Sequence, residues 1–111
     1  EHAIVECARE SNPDVILLEG QSALRNPSGP AGSEYLLSAN AKGVILHHAP
    51  GREFYEGTEE IGFKIFPIES EIELIKMYGS EVLAVTLNGE HLTLETLKAY
   101  RDDLQQKLGI P

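Results

Sequence analysis

The chain has 111 residues, 41% of them hydrophobic, which is enough apolar material for one domain with a core. Acidic residues outnumber basic residues by 18 to 9, and the formal net charge is -9. Because such a surface repels phosphate backbones and anionic lipids, we expect neither nucleic acid nor a membrane as a partner.

The single cysteine, Cys7, excludes an internal disulfide and a cysteine-based zinc site. It lies among apolar residues of a helical stretch, which predicts a small core residue. No apolar run approaches the roughly 18 residues that span a bilayer, and the chain starts with Glu1 and His2 rather than a basic segment. We therefore expect a cytoplasmic protein. Since a helical pattern is already under way at the first residues, we expect a piece of a longer chain.

The first third of the chain is predicted to form a helix, a strand, a loop and a second helix. A helical pattern covers residues 2–11 and ends before a proline, because the residue preceding proline avoids the α region. Residues 14–18 form a short apolar run, typical of a strand that is covered on both faces. A polar segment rich in Gly and Pro follows. A short helix is then predicted over residues 33–40, with Ser33 as its N-cap.

The rest of the chain supplies two more strands and two more helices. A second buried strand is predicted at residues 43–48 and a third at residues 81–87. Residues 53–67 lack a clear period and are interpreted as a surface excursion. Apolar spacing predicts a helix over residues 68–78 and a final amphipathic helix over residues 93–108. In that last helix the expected cap is Thr93 and the expected inner face is Leu94, Leu97, Leu104 and Leu108.

The predicted order α-β-α-β-α-β-α indicates an α/β fold, with a mostly parallel sheet between helices in three αβα layers. The pair Asn88-Gly89 supports an alternative, because Asn-Gly between apolar runs favours a β-hairpin. Residues 90–94 would then form a returning antiparallel strand. The long helical repeat that follows leaves little room for that strand, so the parallel arrangement is favoured.

Polar residues follow each predicted strand, at the edge where open parallel sheets bind ligands. Glu19 follows the first strand, His47 and His48 end the second, and Asn88 follows the third. Parallel strands would bring these groups to one rim. A nucleotide is compatible with the acidic composition, because backbone N–H groups and a metal ion can hold its phosphates.

The loop after the first strand holds further candidate ligand-binding residues. The Glu19 carboxylate could bind Mg²⁺, directly or through water, or could act as a general base. The alternative is a solvated loop glutamate without a role. Residues 21–33 are rich in small side chains and lead to a predicted helix N-terminus at Ser33. The free N–H groups of such a helix start favour an anion, and Arg25 could add a charge-assisted contact. An ordinary polar loop explains the same residues. The segment has no Gly-x-x-x-x-Gly-Lys-Ser/Thr pattern, so it is not interpreted as the phosphate cradle.

The second strand ends in two histidines and a turn. His47 and His48 are adjacent and therefore point to opposite faces, so at most one faces the rim and the other packs against a helix. Metal binding by the pair is the weaker interpretation, because no carboxylate lies at ligand spacing. Arg52, just after Pro50-Gly51, is a candidate contact for substrate or phosphate, with an exposed loop arginine as the alternative.

Two motifs resemble those of a known protein family. One is Glu19-Gly20-Gln21 after an apolar run with Asn26-Pro27 nearby, and the other is the turn Pro50-Gly51-Arg52; a later strand ends in Asn88. Over about residues 14–111 the chain is similar to bacterial and archaeal proteins of unknown function that join an N-terminal Rossmann-like domain to a C-terminal P-loop domain. One branch of that family is named D-glutamate N-acetyltransferase.

The resemblance implies a P-loop NTPase-like domain similar in fold to dethiobiotin synthetase. Carried over by motif, Glu19 would face Mg²⁺ and the terminal phosphates, and Asn88 would lie near the base. The resemblance also implies that a Gly-Lys-Ser/Thr phosphate loop and the Rossmann-like domain lie upstream. Residues 1–111 are therefore expected to be the C-terminal portion of the P-loop domain. Family positions without an assigned role are matched by Gln21, Arg25 and Arg52.

Three functions are compatible with these features. The favoured one is binding of ATP or a related nucleotide with Mg²⁺, used by a full-length, homo-oligomeric protein in a kinase- or ligase-like transfer to a small acidic metabolite. The second, implied by the named branch, is acyl transfer from acetyl-CoA to the amino group of an acidic amino acid. The third is a non-catalytic assembly or regulatory domain. We expect the 111 residues alone to be inactive.

Overall fold

The computed structural model of the chain describes residues 1–20 and 23–111. The described chain divides into two compact units, Glu1–Ala41 and Lys42–Pro111. The first contains helices α1 (His2–Ser11) and α2 (Ala31–Ser38). The second contains a parallel sheet and two further α-helices, which confirms the prediction of an α/β fold. None of the described helices is both long and apolar enough to cross a membrane.

Helix α1 has the predicted bounds. It ends at Asn12, which adopts the left-handed conformation with φ 41° and donates its N–H to the Ala8 carbonyl. The prediction that Cys7 is a core residue is wrong, because its side chain is exposed. None of the side chains of α1 is buried within the described chain, so the apolar neighbours of Cys7 do not form a core around it.

Residues 14–18 do not form the predicted strand. A strand needs a neighbour for its ladder hydrogen bonds, and within the described residues the sheet contains two strands, neither of which pairs with this segment. Its apolar side chains remain in solvent, with 71% of Val15 and 88% of Leu17 exposed. The apolar run indicated a strand but could not indicate whether a pairing partner is present. The predicted three-stranded order is therefore wrong for this chain.

Helix α2 begins earlier than predicted, with Pro30 as its N-cap residue. Ser33 lies inside the helix, where it is buried and its Oγ donates to the Leu24 carbonyl at 2.8 Å. The prediction that Ser33 caps the helix is therefore wrong. Its hydroxyl instead ties α2 to the preceding turn, which leaves the buried side chain with a satisfied hydrogen bond.

The second unit is built on strands β1 (Gly43–His48) and β2 (Glu81–Leu87), both at their predicted positions. The two strands pair in parallel, which requires a crossover, and helix α3 (Ile68–Met77) lies in that connection. Helix α4 (Leu94–Leu108) follows β2. The antiparallel hairpin through Asn88-Gly89 is therefore excluded, because a turn and a helix come where its returning strand would be.

One face of the sheet is more exposed than the other. In the register, Val44 pairs with Val82 and Ile45 with Ala84, so Leu83 is an extra residue that bulges from β2. Ile45 and Leu83 are 65% and 56% exposed, whereas Val82 is buried. Burial of both strands on both faces, as predicted, is not observed for these side chains.

The two long helices supply most of the core of the second unit. In α3, Ile68, Ile72 and Ile75 are buried at helical spacing, and Ile75 is fully buried. In α4, Leu104 is buried as predicted, but Leu94 is 67% exposed, so its assignment to the inner face is wrong. Full burial of an isoleucine side chain, as at Ile75, stabilises a fold by about 1.5–3 kcal/mol.

Residues 53–67 form an ordered excursion. Phe54 and Lys64 make an isolated antiparallel bridge, and the Tyr55 N–H donates to the Phe63 carbonyl at 3.1 Å. The buried Thr58 hydroxyl lies 2.7 Å from the Tyr55 carbonyl and 3.1 Å from the Phe63 carbonyl. These hydrogen bonds hold the two sides of the excursion together and fix its return to the start of α3.

Candidate functional site

Two turns pack against each other at the carboxyl ends of β1 and β2. The Asn88 N–H donates to the His48 carbonyl at 2.8 Å, which extends the strand pairing to the first turn residue. Asn88 Oδ1 accepts the N–H of Glu90 at 2.9 Å and closes an Asx turn. A Cβ on Gly51 would lie 2.2 Å from the Glu90 carbonyl oxygen. The motif Pro50-Gly51-Arg52 therefore needs glycine for this contact.

Arg52 is held at this rim by Glu90. Its Nε donates to Glu90 Oε2 at 2.7 Å, and its Nη2 contacts the same oxygen. The two side chains are 36% and 40% exposed, and a pair this exposed contributes at most about 1 kcal/mol. A carboxylate or phosphate group of a ligand can therefore replace Glu90 at the guanidinium with little loss.

The amide of Asn88 retains hydrogen-bonding capacity. Its Oδ1 is fixed by the Glu90 N–H, and no protein group within residues 1–20 and 23–111 accepts a hydrogen bond from its Nδ2. Because the turn fixes the orientation of the amide, two N–H donors remain available to a ligand at the edge of the sheet. Arg52 and Asn88, two of the predicted site residues, are thus brought together through contacts with Glu90.

The two histidines lie on opposite faces of β1, as predicted. His47 Nδ1 lies 2.8 Å from Thr86 Oγ1 on β2. His48 Nε2 lies 3.0 Å from the Tyr100 hydroxyl of α4, and the two rings stack with centroids 5.9 Å apart. Burial lowers the pKa of His48, with His47 adding to the effect and Glu69 opposing it. Burial also raises the pKa of Tyr100, so both rings are neutral near pH 7.

An open groove of about 440 Å³ lies beside the His48–Tyr100 pair. Its charged lining residues are Arg52, Glu53, Lys64, Glu69, Asp103 and Lys107. Lys64 Nζ pairs with Glu53 Oε1 at 2.6 Å, and Lys107 pairs with Glu69. The hydrogen bond from Lys107 lowers the pKa of Glu69 and raises that of Lys107. Arg52 also lines a smaller cleft of about 260 Å³ together with Glu90 and His91.

The predicted site residues before residue 42 belong to the first unit. Glu19 is exposed in an irregular segment rather than at a strand end. Arg25 lies in a turn and is half-buried, and the hydroxyl of Ser33 is bonded to Leu24. Gln21 lies outside the described residues. A rim shared by Glu19, the histidines and Asn88 stays a prediction.

Metal binding has no preformed centre in the described residues. No group of three or more His, Cys, Asp or Glu side chains there is arranged to hold a metal ion. His47 and His48 are engaged separately with Thr86 and Tyr100, on opposite faces of the strand. In this structure the two imidazole rings are therefore not positioned to share one metal ion.

Several residues of the rim and groove were not predicted. Glu90 is 38 residues away from Arg52, and no local pattern in the sequence indicates that they form an ion pair. Tyr100 lies three residues after Leu97 and four before Leu104, so a polar ring on the inner face of α4 was the available signal. Glu69 and Lys107 are 38 residues apart, and no local pattern indicates that they meet.

Comparison with known protein families assigns the domain. The family described as "Domain of unknown function (DUF1611_C) P-loop domain" matches residues 1–111. The chain belongs to this family. The match confirms the resemblance carried by the Glu19-Gly20-Gln21 and Pro50-Gly51-Arg52 motifs and makes this DUF1611_C chain a P-loop domain. No curated protein and no solved structure matches it.

Proposed function

We propose that this P-loop domain binds ATP or a related nucleotide with Mg²⁺, and that the full-length protein uses it in a kinase- or ligase-like transfer to a small acidic metabolite. One observation carries the proposal. In a chain of the P-loop family, Arg52 and Asn88 lie on two packed turns at the carboxyl edge of parallel strands. Parallel sheets bind their ligands at this edge.

Most of the candidate residues have a role in this proposal. Asn88 offers its Nδ2 donors to the base, and Arg52 exchanges Glu90 for an anionic group of a ligand. The exposed Glu19 carboxylate is a hard oxygen donor, which suits Mg²⁺ when water and phosphate oxygens complete the coordination shell. Mg²⁺ would neutralise charge on the phosphates. We assign the phosphate side to Gln21 and Arg25, and leave out Ser33 because its hydroxyl is buried and bonded to Leu24.

The finer fold assignment is part of the same proposal. We assign the domain a three-layer αβα, P-loop NTPase-like architecture, preceded in the full-length cytoplasmic protein by a phosphate loop and a Rossmann-like domain. The exposure of Ile45 and Leu83 supports this assignment, because parallel strands normally carry helices on both faces.

A second candidate function is N-acetyl transfer from acetyl-CoA to the amino group of an acidic amino acid. The observation that favours it is the neutral His48 imidazole beside the groove, since burial lowers its pKa. A neutral imidazole is the form that accepts a proton from an attacking amine.

Thermal unfolding of the full-length protein separates these candidates. A ligand that binds only the folded state raises stability by about 2.7 kcal/mol at a hundredfold excess over its Kd. We expect Mg-ATP to raise the Tm and acetyl-CoA to leave it unchanged. A shift with acetyl-CoA alone would favour acetyl transfer, and no shift with either would favour a non-catalytic assembly domain.

Glu19→Gln tests the magnesium assignment within the same assay. The variant should bind ATP more weakly than the parent protein when Mg²⁺ is present. When a chelator removes Mg²⁺, the two proteins should bind ATP equally. Glu10→Gln is the matched control, because Glu10 is an exposed carboxylate on α1. Unchanged Mg²⁺ dependence in Glu19→Gln would remove Glu19 from this role.

A further inference from the structure

The groove beside His48 has the size of a small-molecule site. Its volume of about 440 Å³ falls within the range of roughly 300–1,000 Å³ that such sites occupy. All of its lining residues belong to the second unit, from the end of β1, the excursion, the first turn of α3 and the last turns of α4. Three stretches of the chain, residues 48–53, 64–69 and 100–107, thus converge on one concave surface.

The mouth of the groove carries two lysines in exchangeable ion pairs. Lys64 pairs with Glu53, and Lys107 pairs with Glu69. The two lysine side chains are 66% and 61% exposed, so solvent screens both pairs and each contributes little stability. An anionic ligand group can therefore displace either glutamate, which swings into water, and can gain a charge-assisted hydrogen bond from the ammonium.

The more buried part of the lining is uncharged. It contains the hydrogen-bonded His48 and Tyr100 rings, and apolar groups from Ile65, Ile68 and Leu104. Burial lowers the pKa of His48 because this position disfavours a charged group, so it also disfavours a charged ligand group that has no partner there. A hydroxyl or amide of a ligand suits this position, because the Tyr100 oxygen has hydrogen-bonding capacity beyond its contact with His48.

We propose that this groove binds a small molecule that carries a carboxylate or phosphate group, which pairs with Lys64 and Lys107, and an uncharged polar end, which lies against Tyr100. The site differs from the one assigned to a nucleotide base, because Asn88 does not line it. Arg52 lines both the groove and the cleft beside Glu90. A ligand in the groove therefore lies next to the rim without requiring a nucleotide to be bound.

Three probes test the two requirements on the ligand. They are 4-hydroxybutyrate (a carboxylate with a hydroxyl end), glycerol 3-phosphate (a phosphate with hydroxyl groups) and 1,4-butanediol (hydroxyl groups without an anion). Binding to the full-length protein is measured by calorimetry without ATP. We expect at least one anionic probe to bind and butanediol to show no saturable binding. The anionic probe that binds identifies the group as carboxylate or phosphate.

Variants locate the binding. Lys107→Gln should weaken binding of the probe about tenfold, which is the loss expected for a charge-assisted hydrogen bond. Lys64→Gln tests the contribution of the Lys64–Glu53 pair in the same way. Lys98→Gln is the matched control, because Lys98 is exposed on α4 and does not line the groove. Failure of both anionic probes to bind, or an equal loss in Lys98→Gln and Lys107→Gln, would overturn the proposal. Either result leaves the nucleotide assignment at Asn88 standing.

Discussion

His48 Nε2 and the Tyr100 hydroxyl are 3.0 Å apart, and their rings stack with a centroid distance of 5.9 Å. This contact joins the last residue of β1 to the middle of α4. Leu104, one turn further along α4, is buried in the core. The hydrogen bond at the groove therefore joins the helix to the end of β1, one turn before the buried Leu104.

Replacement of Tyr100 by Phe should destabilise the fold modestly. The variant keeps the ring stacking but leaves His48 without its hydrogen bond, a loss of about 1 kcal/mol. Urea unfolding followed by circular dichroism measures the change. Tyr78→Phe is the control, because the Tyr78 hydroxyl makes no side-chain hydrogen bond within the described chain. Equal losses in the two variants would contradict a specific role for the His48 contact.

Stability should fall as the solution becomes mildly acidic. The pKa of His48 is lowered by burial, so the unfolded chain takes up a proton at higher pH than the folded chain. The free energy of unfolding should therefore decrease as the pH falls below about 6.5. The lowered pKa of Glu69 acts separately, since its stabilisation is lost only in the more acidic range where carboxylates protonate.

His48→Gln identifies the source of this pH dependence. We expect the variant to show a flatter stability profile between neutral and mildly acidic pH, measured by urea unfolding at each pH. His91→Gln should retain the decrease, because the His91 side chain is 68% exposed. A decrease of the same size in His48→Gln and the parent protein would show that another group is responsible.

Gly51→Ala should disturb the packing of the two rim turns. The new Cβ would be 2.2 Å from the backbone oxygen of Glu90, so one turn must move, at a cost of about 1–3 kcal/mol. Gly43→Ala provides the comparison, because the three atoms nearest to its Cβ all belong to the side chain of Leu83, which is exposed and can rotate away. In thermal unfolding, the Tm of Gly51→Ala should be well below that of Gly43→Ala. The reverse order would argue against close packing of the turns.

Local signals in the sequence were sufficient for most of the second unit. Two apolar runs and two helical repeats located β1, β2, α3 and α4, and Thr93 caps α4 as predicted by accepting the Thr96 N–H at 3.1 Å. Such features depend on residues within one or two turns of each other. Residues 14–18 gave an equally clear apolar signal, yet a strand also requires a partner, and periodicity carries no information about partners.

The candidate site was predictable only in part for a related reason. Polar residues at strand ends predicted that the two histidines and Asn88 lie at one edge of the sheet, because parallel topology fixes which ends of strands meet, and Arg52 was predicted from the turn that follows β1. The Glu69–Lys107 ion pair depends on how far α3 and α4 converge, which side-chain packing decides. In the first unit, Glu19 was predicted from its place after an apolar run and Arg25 from the loop that follows it, and their roles remain proposals.

The most direct test of nucleotide binding at the rim is the affinity of the full-length protein for Mg-ATP in Asn88→Asp. This variant retains the oxygen that accepts the Glu90 N–H, so the turn is preserved, while the Nδ2 donors offered to the base are lost. We expect calorimetry to show at least about tenfold weaker binding than in the parent protein, with Asp102→Asn on the exposed face of α4 unchanged. Undiminished Mg-ATP binding by Asn88→Asp, or no binding by the parent protein, would contradict the account.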